Sequence, residues 1–258
     1  MNICLLDQSE ISKPLSFDDK RGEHLLKVLH KKTGEAFTAG IIGGASGSAT
    51  ITKIDESSRR IFFDFTAGGD GKPLNPLKMI VGFPRPIQLR RLLRDVAALG
   101  VSELHLTGTE LGEKSYMQSV LAQPEKAGEL LLEGSVQAGS THVPQVFIHK
   151  SLKDCLESLN ESGSLSLSKG GQKMQLICLD NVNPKCALGE LQFSADTSVI
   201  AAIGSERGWT DRERRLLEEF GFIRCGMGER IMRTETAVTV AGAIILNSMG
   251  RLSGQARQ

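Results

Sequence analysis

Three short apolar runs in the last third of the chain each end in a loop whose residues could do chemistry. Leu176-Ile177-Cys178-Leu179 leads into Asp180-Asn181. Val199-Ile200-Ala201-Ala202-Ile203 leads into Gly204-Ser205-Glu206-Arg207-Gly208, and Phe222-Ile223-Arg224-Cys225 into Gly226-Met227-Gly228. Runs that are apolar at nearly every position suit strands covered on both faces, as in a parallel sheet. Such sheets bind ligands in the crevice beyond the carboxyl ends of their strands, so the pattern predicts a ligand cleft built from these loops. Other chemistries lack their signatures. The histidines form no HxxxH or H-E-x-x-H arrangement, and Cys4, Cys155, Cys178, Cys186 and Cys225 form no CxxC pair. Neither a metal site nor a disulfide framework is expected from such spacing. The glycines from Gly40 to Gly47 lack the lysine and serine of a phosphate loop and read as a hairpin turn.

The elements that must hold these loops follow from periodicity. Leu77 to Gly82 reads as a strand and Ile87 to Leu99 as a helix stopped at Gly100. Leu104 to Leu106 reads as a strand, Pro124 to Ala138 as a helix, Val146 to Ile148 as a strand and Leu152 to Leu159 as a short helix. The Ser/Gly tract from Ser162 to Gly171 reads as a solvated loop. Thr210 and Glu213 fit a capping box for a helix that Gly221 would end, and a last helix runs from Thr234 or Glu235 to Met249. Its residues Ala237, Val238, Ala241, Ile244, Ile245 and Met249 are more apolar than a solvent-facing helix needs, which suits a dimer interface. The first seventy residues differ. Glu35 to Ile42, Ser48 to Ile54 and Arg60 to Phe65 are β-suited, and only Gly22 to His30 reads as a helix, with Leu25, Leu26 and Leu29 on one face. Gly68 to Pro73 reads as the connection, giving a β-rich domain over 1–70 and an α/β domain over 74–258.

With 258 residues, 40% hydrophobic and 24% charged, the chain has the composition of a soluble globular protein. Its formal net charge of +1 means that a nucleic acid would have to be met by local basic patches. Arg85, Arg90, Arg91 and Arg94 form one such cluster, Arg90 and Arg94 lying one helical turn apart; Lys27, Lys31 and Lys32 form another. No apolar run approaches the ~20 residues that span a bilayer, and no signal-peptide layout opens the chain. With the scattered cysteines, this predicts a cytoplasmic protein and no membrane partner.

Two segments go further than a generic α/β pattern. Ile203-Gly204-Ser205-Glu206-Arg207-Gly208-Trp209, and Met227-Gly228-Glu229-Arg230-Ile231-Met232-Arg233-Thr234-Glu235-Thr236-Ala237, resemble the I-G-P-E-G-G-F loop and the L-G-x-R-I-L-R-T-E-T-A run of the RsmE family of 16S rRNA uracil-N3 methyltransferases. His24 to Leu29, Ala97 to Val101 and Val136 to Gly139 with Pro144 are similar to further family segments, so the likeness covers most of the chain. It implies a PUA-like small β-barrel followed by a SPOUT α/β domain with a trefoil knot and a mostly parallel sheet. It also implies S-adenosylmethionine as cofactor, a uridine of 16S rRNA or the small ribosomal subunit as substrate, and a homodimer. Ser205 and Arg207 depart from the family's proline and glycine, Thr141 and His30 from its arginines, and Lys114 replaces another. An arginine held at positive φ would cost about 1–2 kcal/mol, so Arg207 puts the shape of its loop in question.

On this resemblance Leu179, Gly204, Glu206, Met227, Gly228, Ile231 and Met232 are the expected cofactor contacts, with Gly226 giving further close backbone approach. The imide nitrogen of uracil must lose a proton, for which Glu206 is the first candidate and Glu235 the second; Arg233 would stabilise charge on the uracil oxygens. Lys27, Lys31, Arg85, Arg90, Arg94 and Lys114 are the expected RNA contacts. Duller roles stand beside these. Glu206 could pair with Arg207 or a neighbouring chain, and Thr234 and Glu235 suit a helix start. Two rival functions share the fold: ribose 2′-O-methylation of rRNA or tRNA, and an RNA-binding scaffold in which the altered 204–208 loop no longer supports catalysis.

Overall fold

The computed structural model of the chain describes residues 2–165, 168–169, 172–194 and 196–252. They form two compact units, Met1–Pro73 with Leu132–Val143, and Leu74–Leu131 with Pro144–Gln258.

The first unit is a mixed five-stranded sheet curled into a half-barrel. Its strands β1 (Cys4–Leu6), β2 (Leu15–Ser16), β3 (Ala36–Ile41), β4 (Ser46–Asp55) and β5 (Arg60–Gly69) lie in the order β1-β3-β4-β5-β2, with only the β1–β3 pair parallel. Phe37 and Ala39, Ala49 and Ile51, and Ile61 and Phe63 point inward at the two-residue period of a strand, onto Cys4, Leu6, Leu15 and Leu25. The 40–47 stretch turns the β3–β4 hairpin, with Gly43 at φ +72°. Thr141 is fully buried here: its hydroxyl donates to the Gly44 carbonyl at 2.7 Å and its own carbonyl accepts from the Gly43 N–H at 2.8 Å. The residue standing for a family arginine thus clamps a turn.

The helix expected over 22–30 is built differently. Helix α1 (Lys20–Glu23) passes into a π-turn, His24–Val28, in which the Leu29 N–H donates to the His24 carbonyl at 3.0 Å, five residues back. The extra residue in the turn rotates the face, so Leu25 is buried while Leu29 is exposed, and His30 ends the segment at φ +49°.

Arg21 ties this unit's entry together, donating to Asp19, to Glu10 and to the Leu5 carbonyl at 2.7–3.0 Å. Its guanidinium holds the Glu10 and Asp19 carboxyls below their ordinary values. Folded-state values below the unfolded ones mean stability that is present above about pH 4 and lost as pH falls through the folded values. The urea midpoint should therefore drop between pH 7 and pH 3 more in the native protein than in Arg21→Met; equal drops would deny the network that role.

The second unit is a seven-stranded parallel sheet in the order β11-β13-β10-β12-β6-β7-β8. In chain order its elements are β6 (Asn75–Gly82), α2 (Pro86–Ala98), β7 (Val101–Thr107), α3 (Pro124–Ala138, whose residues from Leu132 group with the first unit), β8 (Gln145–His149) and α4 (Leu152–Glu161). There follow β9 (Ser168–Lys169), β10 (Gln172–Leu179), β11 (Cys186–Ala187), β12 (Ser198–Ile203), α5 (Asp211–Glu219), β13 (Ile223–Gly226) and α6 (Thr234–Ser248). Part of the tract read as a loop is the strand β9, antiparallel to β10; residues 166–167 and 170–171 of that tract lie outside the described residues.

One sheet face buries Ile80, Cys178, Ile200 and Ala202 against Leu152, Leu156 and Leu159 of α4, Leu217 of α5, Trp209 and Phe222. Helix α5 starts on the expected box: Thr210 Oγ accepts from the Glu213 N–H at 3.2 Å and the Glu213 carboxylate from the Thr210 N–H at 2.9 Å. Helix α6 packs against α2 and β6. Its Ala237, Val238, Ala241 and Ile245, with Met249 just beyond, are buried inside this unit, so most of the apolar surface that suggested an interface is used internally. Val240, Ala243 and Ile244 stay half-buried. Among the described residues no helix is long and apolar enough to cross a membrane.

Candidate active site

The sheet register brings the three loops together. β10 lies between β12 and β13, pairing Leu179 with Ile203 on one side and with Cys225 on the other, so the three chain segments leave the sheet side by side. Beyond them is a cleft of about 250 Å³ lined by residues from all three loops and from the start of α6. The middle loop is a tight turn: the Gly208 N–H donates to the Ser205 carbonyl at 2.8 Å, and Gly208 carries the left-handed φ of +72°. Arg207 is not among the residues at positive φ, so it fits the turn without the strain that a left-handed arginine would bring. Two glycines set the turn's position. A methyl on Gly204 would lie 2.9 Å from the Gly208 carbonyl carbon, and one on Gly82, at the end of β6, 2.4 Å from the Ser205 nitrogen.

The cleft joins charge to apolar wall. Asp180 and Arg214 form an ion pair with Nε–Oδ2 of 2.5 Å, and Asp180 Oδ1 also accepts from the Val182 N–H at 3.1 Å. This pairing, with a second bond to Asp211, raises the Arg214 guanidinium above its ordinary value. At the rim, Glu206 faces Arg85 at 3.4 Å, and Arg85 Nε donates to the Tyr116 hydroxyl at 3.0 Å. Ile231 lines the cleft yet is 87% exposed, and Val182 is 44% exposed. Buried Ser205 has a hydroxyl with no hydrogen-bond partner. Exposed apolar walls, an orphaned hydroxyl and glycine-tight backbone are what a nucleoside-bearing ligand would cover or satisfy, so these residues fit an adenosine-type cofactor.

Residues 71–246 match the family model of the RNA methyltransferase domain. The ribosomal RNA small subunit methyltransferase E of Treponema pallidum is 42% identical over 250 residues, covering 95% of this chain and 91% of the relative. The chain belongs to the ribosomal RNA small subunit methyltransferase E family. A second member, ribosomal RNA small subunit methyltransferase E 1 of Borreliella burgdorferi, is 30% identical over 96% of this chain and 98% of its own length. The crystal structure of the Neisseria gonorrhoeae family enzyme bound to S-adenosylmethionine shares the fold, with a TM-score of 0.74 at 21% identity over 96% of this chain and 98% of that one. A Legionella pneumophila methyltransferase in complex with the same cofactor has a TM-score of 0.70 at 18% identity, over 96% and 98%.

Of the residues expected to meet the cofactor, Leu179, Gly204, Glu206, Met227, Ile231 and Met232 line the cleft; Gly228 and Gly226 do not line it, and Gly228 turns the third loop at φ +94°. Arg233 and Glu235 flank Thr234, which does line it; Arg233 is exposed and Glu235 buried. Among the expected RNA contacts, Arg85 stands beside Glu206, and exposed Lys114 opens the turn that carries Tyr116. Arg90 and Arg94 lie on the exposed face of α2, whose Leu89, Leu92, Leu93 and Val96 are buried. In the first unit Lys27 is exposed and paired with Glu23 at 2.9 Å, and Lys31 is half-buried. Sequence reasoning named Asp180 and Asn181 as a cleft loop and Arg230 in the family-like run without giving them roles, and passed over Arg214, the lining residue Val182 and the Tyr116 that orients Arg85. Asp180 carried a signal, being the first polar residue after an apolar strand; Arg214, 34 positions away, carried none.

Proposed function

We propose that the protein methylates N3 of a uridine in small-subunit ribosomal RNA, with S-adenosylmethionine held in the cleft beyond β10, β12 and β13. The observation that carries this reading is the convergence of the 179–182, 203–208 and 227–234 segments on one cavity in a chain of this family. Leu179, Ile203, Met227 and Ile231 would wall the adenosine, and the Gly204 backbone would approach it closely. The cofactor supplies an electrophilic methyl group on sulfur.

The chain must then orient the uracil and take its N3 proton, leaving the nitrogen lone pair to form the new N–C bond. Glu206 would accept that proton, directly or through a water, and its ion pair with Arg85, which would steady the carboxylate, supports this choice. Arg233, exposed beside the cleft residues Met232 and Thr234, would meet the uracil oxygens as they gain charge. Glu206→Gln should cut turnover by about 10²–10⁴-fold while leaving cofactor affinity near the native value in calorimetry. Unchanged turnover would remove Glu206 from the role of base. Arg233→Ala should harm turnover more than cofactor affinity, and a titration showing the reverse would move that arginine to the cofactor.

The reading includes the trefoil-knotted SPOUT form of the second unit, a homodimer and action in the cytoplasm. Exposed Ile231 and Val182, with half-buried Val240, Ala243 and Ile244, offer a second copy apolar surface to cover. The β-rich unit, with Lys27 and Lys31, and the face bearing Arg90 and Arg94 would meet RNA phosphates, which makes binding fall steeply with salt. The absence of left-handed strain at Arg207 in the 205–208 turn speaks against the scaffold alternative. Nucleoside mass spectrometry of ribosomal RNA from cells lacking the gene tests the product: N3-methyluridine should vanish and return on complementation, whereas loss of a 2′-O-methyl nucleoside instead would favour the ribose reading.

A further inference from the structure

A second cluster, sharing no residue with the cleft, sits where β7, β8 and α4 meet. His105 Nδ1 on β7 and His149 Nε2 on β8 are 3.0 Å apart. One ring nitrogen of each and the Cys155 sulfur of α4 all lie within 4.8 Å of one another. The parallel register brings the two imidazoles together: His105 is paired with Phe147, and His149 is the next residue of β8 on the same face. Phe147 stacks on His105 with centroids 4.8 Å apart. His105 and Cys155 are buried and His149 half-buried.

We propose that His105, His149 and Cys155 bind a borderline divalent transition-metal ion, Zn2+ foremost. Two imidazoles and a thiolate are the nitrogen and sulfur donors such an ion takes, and these three donors include no oxygen for a hard cation. Bonds of about 2.0–2.3 Å in a tetrahedron put donors about 3.3–3.8 Å apart, so the cluster reaches that geometry through side-chain shifts of roughly 1 Å. The surroundings of His105 favour it further. Glu103 Oε2 lies 3.1 Å from His105 Nε2, and Lys78 Nζ lies 2.7 Å from the other oxygen of Glu103. A carboxylate on Nε2 places the ring proton there and leaves the Nδ1 lone pair facing His149, the carboxylate–imidazole–metal arrangement that orients histidine ligands.

Without an ion the same lone pair accepts from the His149 Nε2–H, and Cys155 packs in the apolar core as a neutral thiol. Binding therefore forms the metal–sulfur bond and sends the thiol proton to solvent, while the His149 proton moves to its other nitrogen; one proton is released per ion. The fourth position is left to water on the half-buried His149 side. No sequence motif announces the site, because its two histidines are 44 positions apart on separate strands.

Titration of the untagged, chelator-treated full chain with Co2+ tests the proposal. The expected result is one equivalent bound with release of one proton, tetrahedral d–d bands and a thiolate charge-transfer band, and loss of those bands as Zn2+ displaces Co2+ with no further proton released. Cys155→Ser should abolish the charge-transfer band, and Glu103→Gln should weaken binding by about 10–100-fold. Because Cys155 is in the core, His149→Gln provides a second variant, expected to lower Co2+ affinity with circular dichroism unchanged. Absence of the bands in the native protein, an unaltered spectrum in Cys155→Ser, or full affinity in His149→Gln would each overturn the site.

Discussion

Arg214→Ala is expected to destabilise the second unit by about 3 kcal/mol and to lower cofactor affinity with it. The physical reason is the state of the partner left behind. Arg214 Nε and Asp180 Oδ2 are 2.5 Å apart, and their side chains are only 14% and 5% exposed. Removing the guanidinium leaves a carboxylate with little water and no counter-ion, which costs more than the pair itself contributes. The effect reaches the cleft because the same carboxylate accepts the Val182 N–H and so shapes the loop after β10. Replacing both partners, Asp180→Asn with Arg214→Met, should therefore cost less than the sum of the single changes. Urea unfolding of the native protein, the three single variants and the double variant measures this, and an Arg214→Ala midpoint equal to the native one would show that the pair is not holding the loop.

That pair also marks where reading the sequence stops. The parallel strands were legible because their apolar runs have no other comfortable environment, and the helix after Thr210 because capping chemistry is local. The loops were legible as a ligand cleft for the same reason: strand ends in such sheets are where ligands go. Contacts that depend on register were not. Nothing in the spacing of Asp180 and Arg214, or of Arg85, Tyr116 and Glu206, says that the fold will bring them together. Local geometry also held surprises. The residue inserted at the π-turn swings Leu29 to solvent, and the left-handed φ that would strain Arg207 falls on Gly208 instead. Helix α6 shows the converse, since most of its apolar excess packs on α2 and β6 while Val240, Ala243 and Ile244 are left half-buried.

Gly82→Ala should reduce cofactor affinity by at least about tenfold and cost roughly 1–3 kcal/mol of stability, although Gly82 does not line the cleft. Its β-carbon would stand 2.4 Å from the Ser205 nitrogen and 2.9 Å from both the Gly204 carbonyl carbon and the Ser205 Cα. All three are backbone atoms, so no side chain can swing aside, and the β12 loop itself must move away from the end of β6. A displacement approaching 1 Å is comparable to the tolerance of a site that works by positioning. Gly208→Ala supplies the contrast: a methyl there meets nothing within 4 Å, and the penalty is only that of an L-residue at φ +72°, about 1 kcal/mol. Calorimetric titration of both variants with S-adenosylmethionine separates steric displacement of the loop from loss of backbone freedom. If Gly82→Ala bound the cofactor as tightly as Gly208→Ala does, the seat of the 204–208 turn on β6 would not be what shapes the cleft.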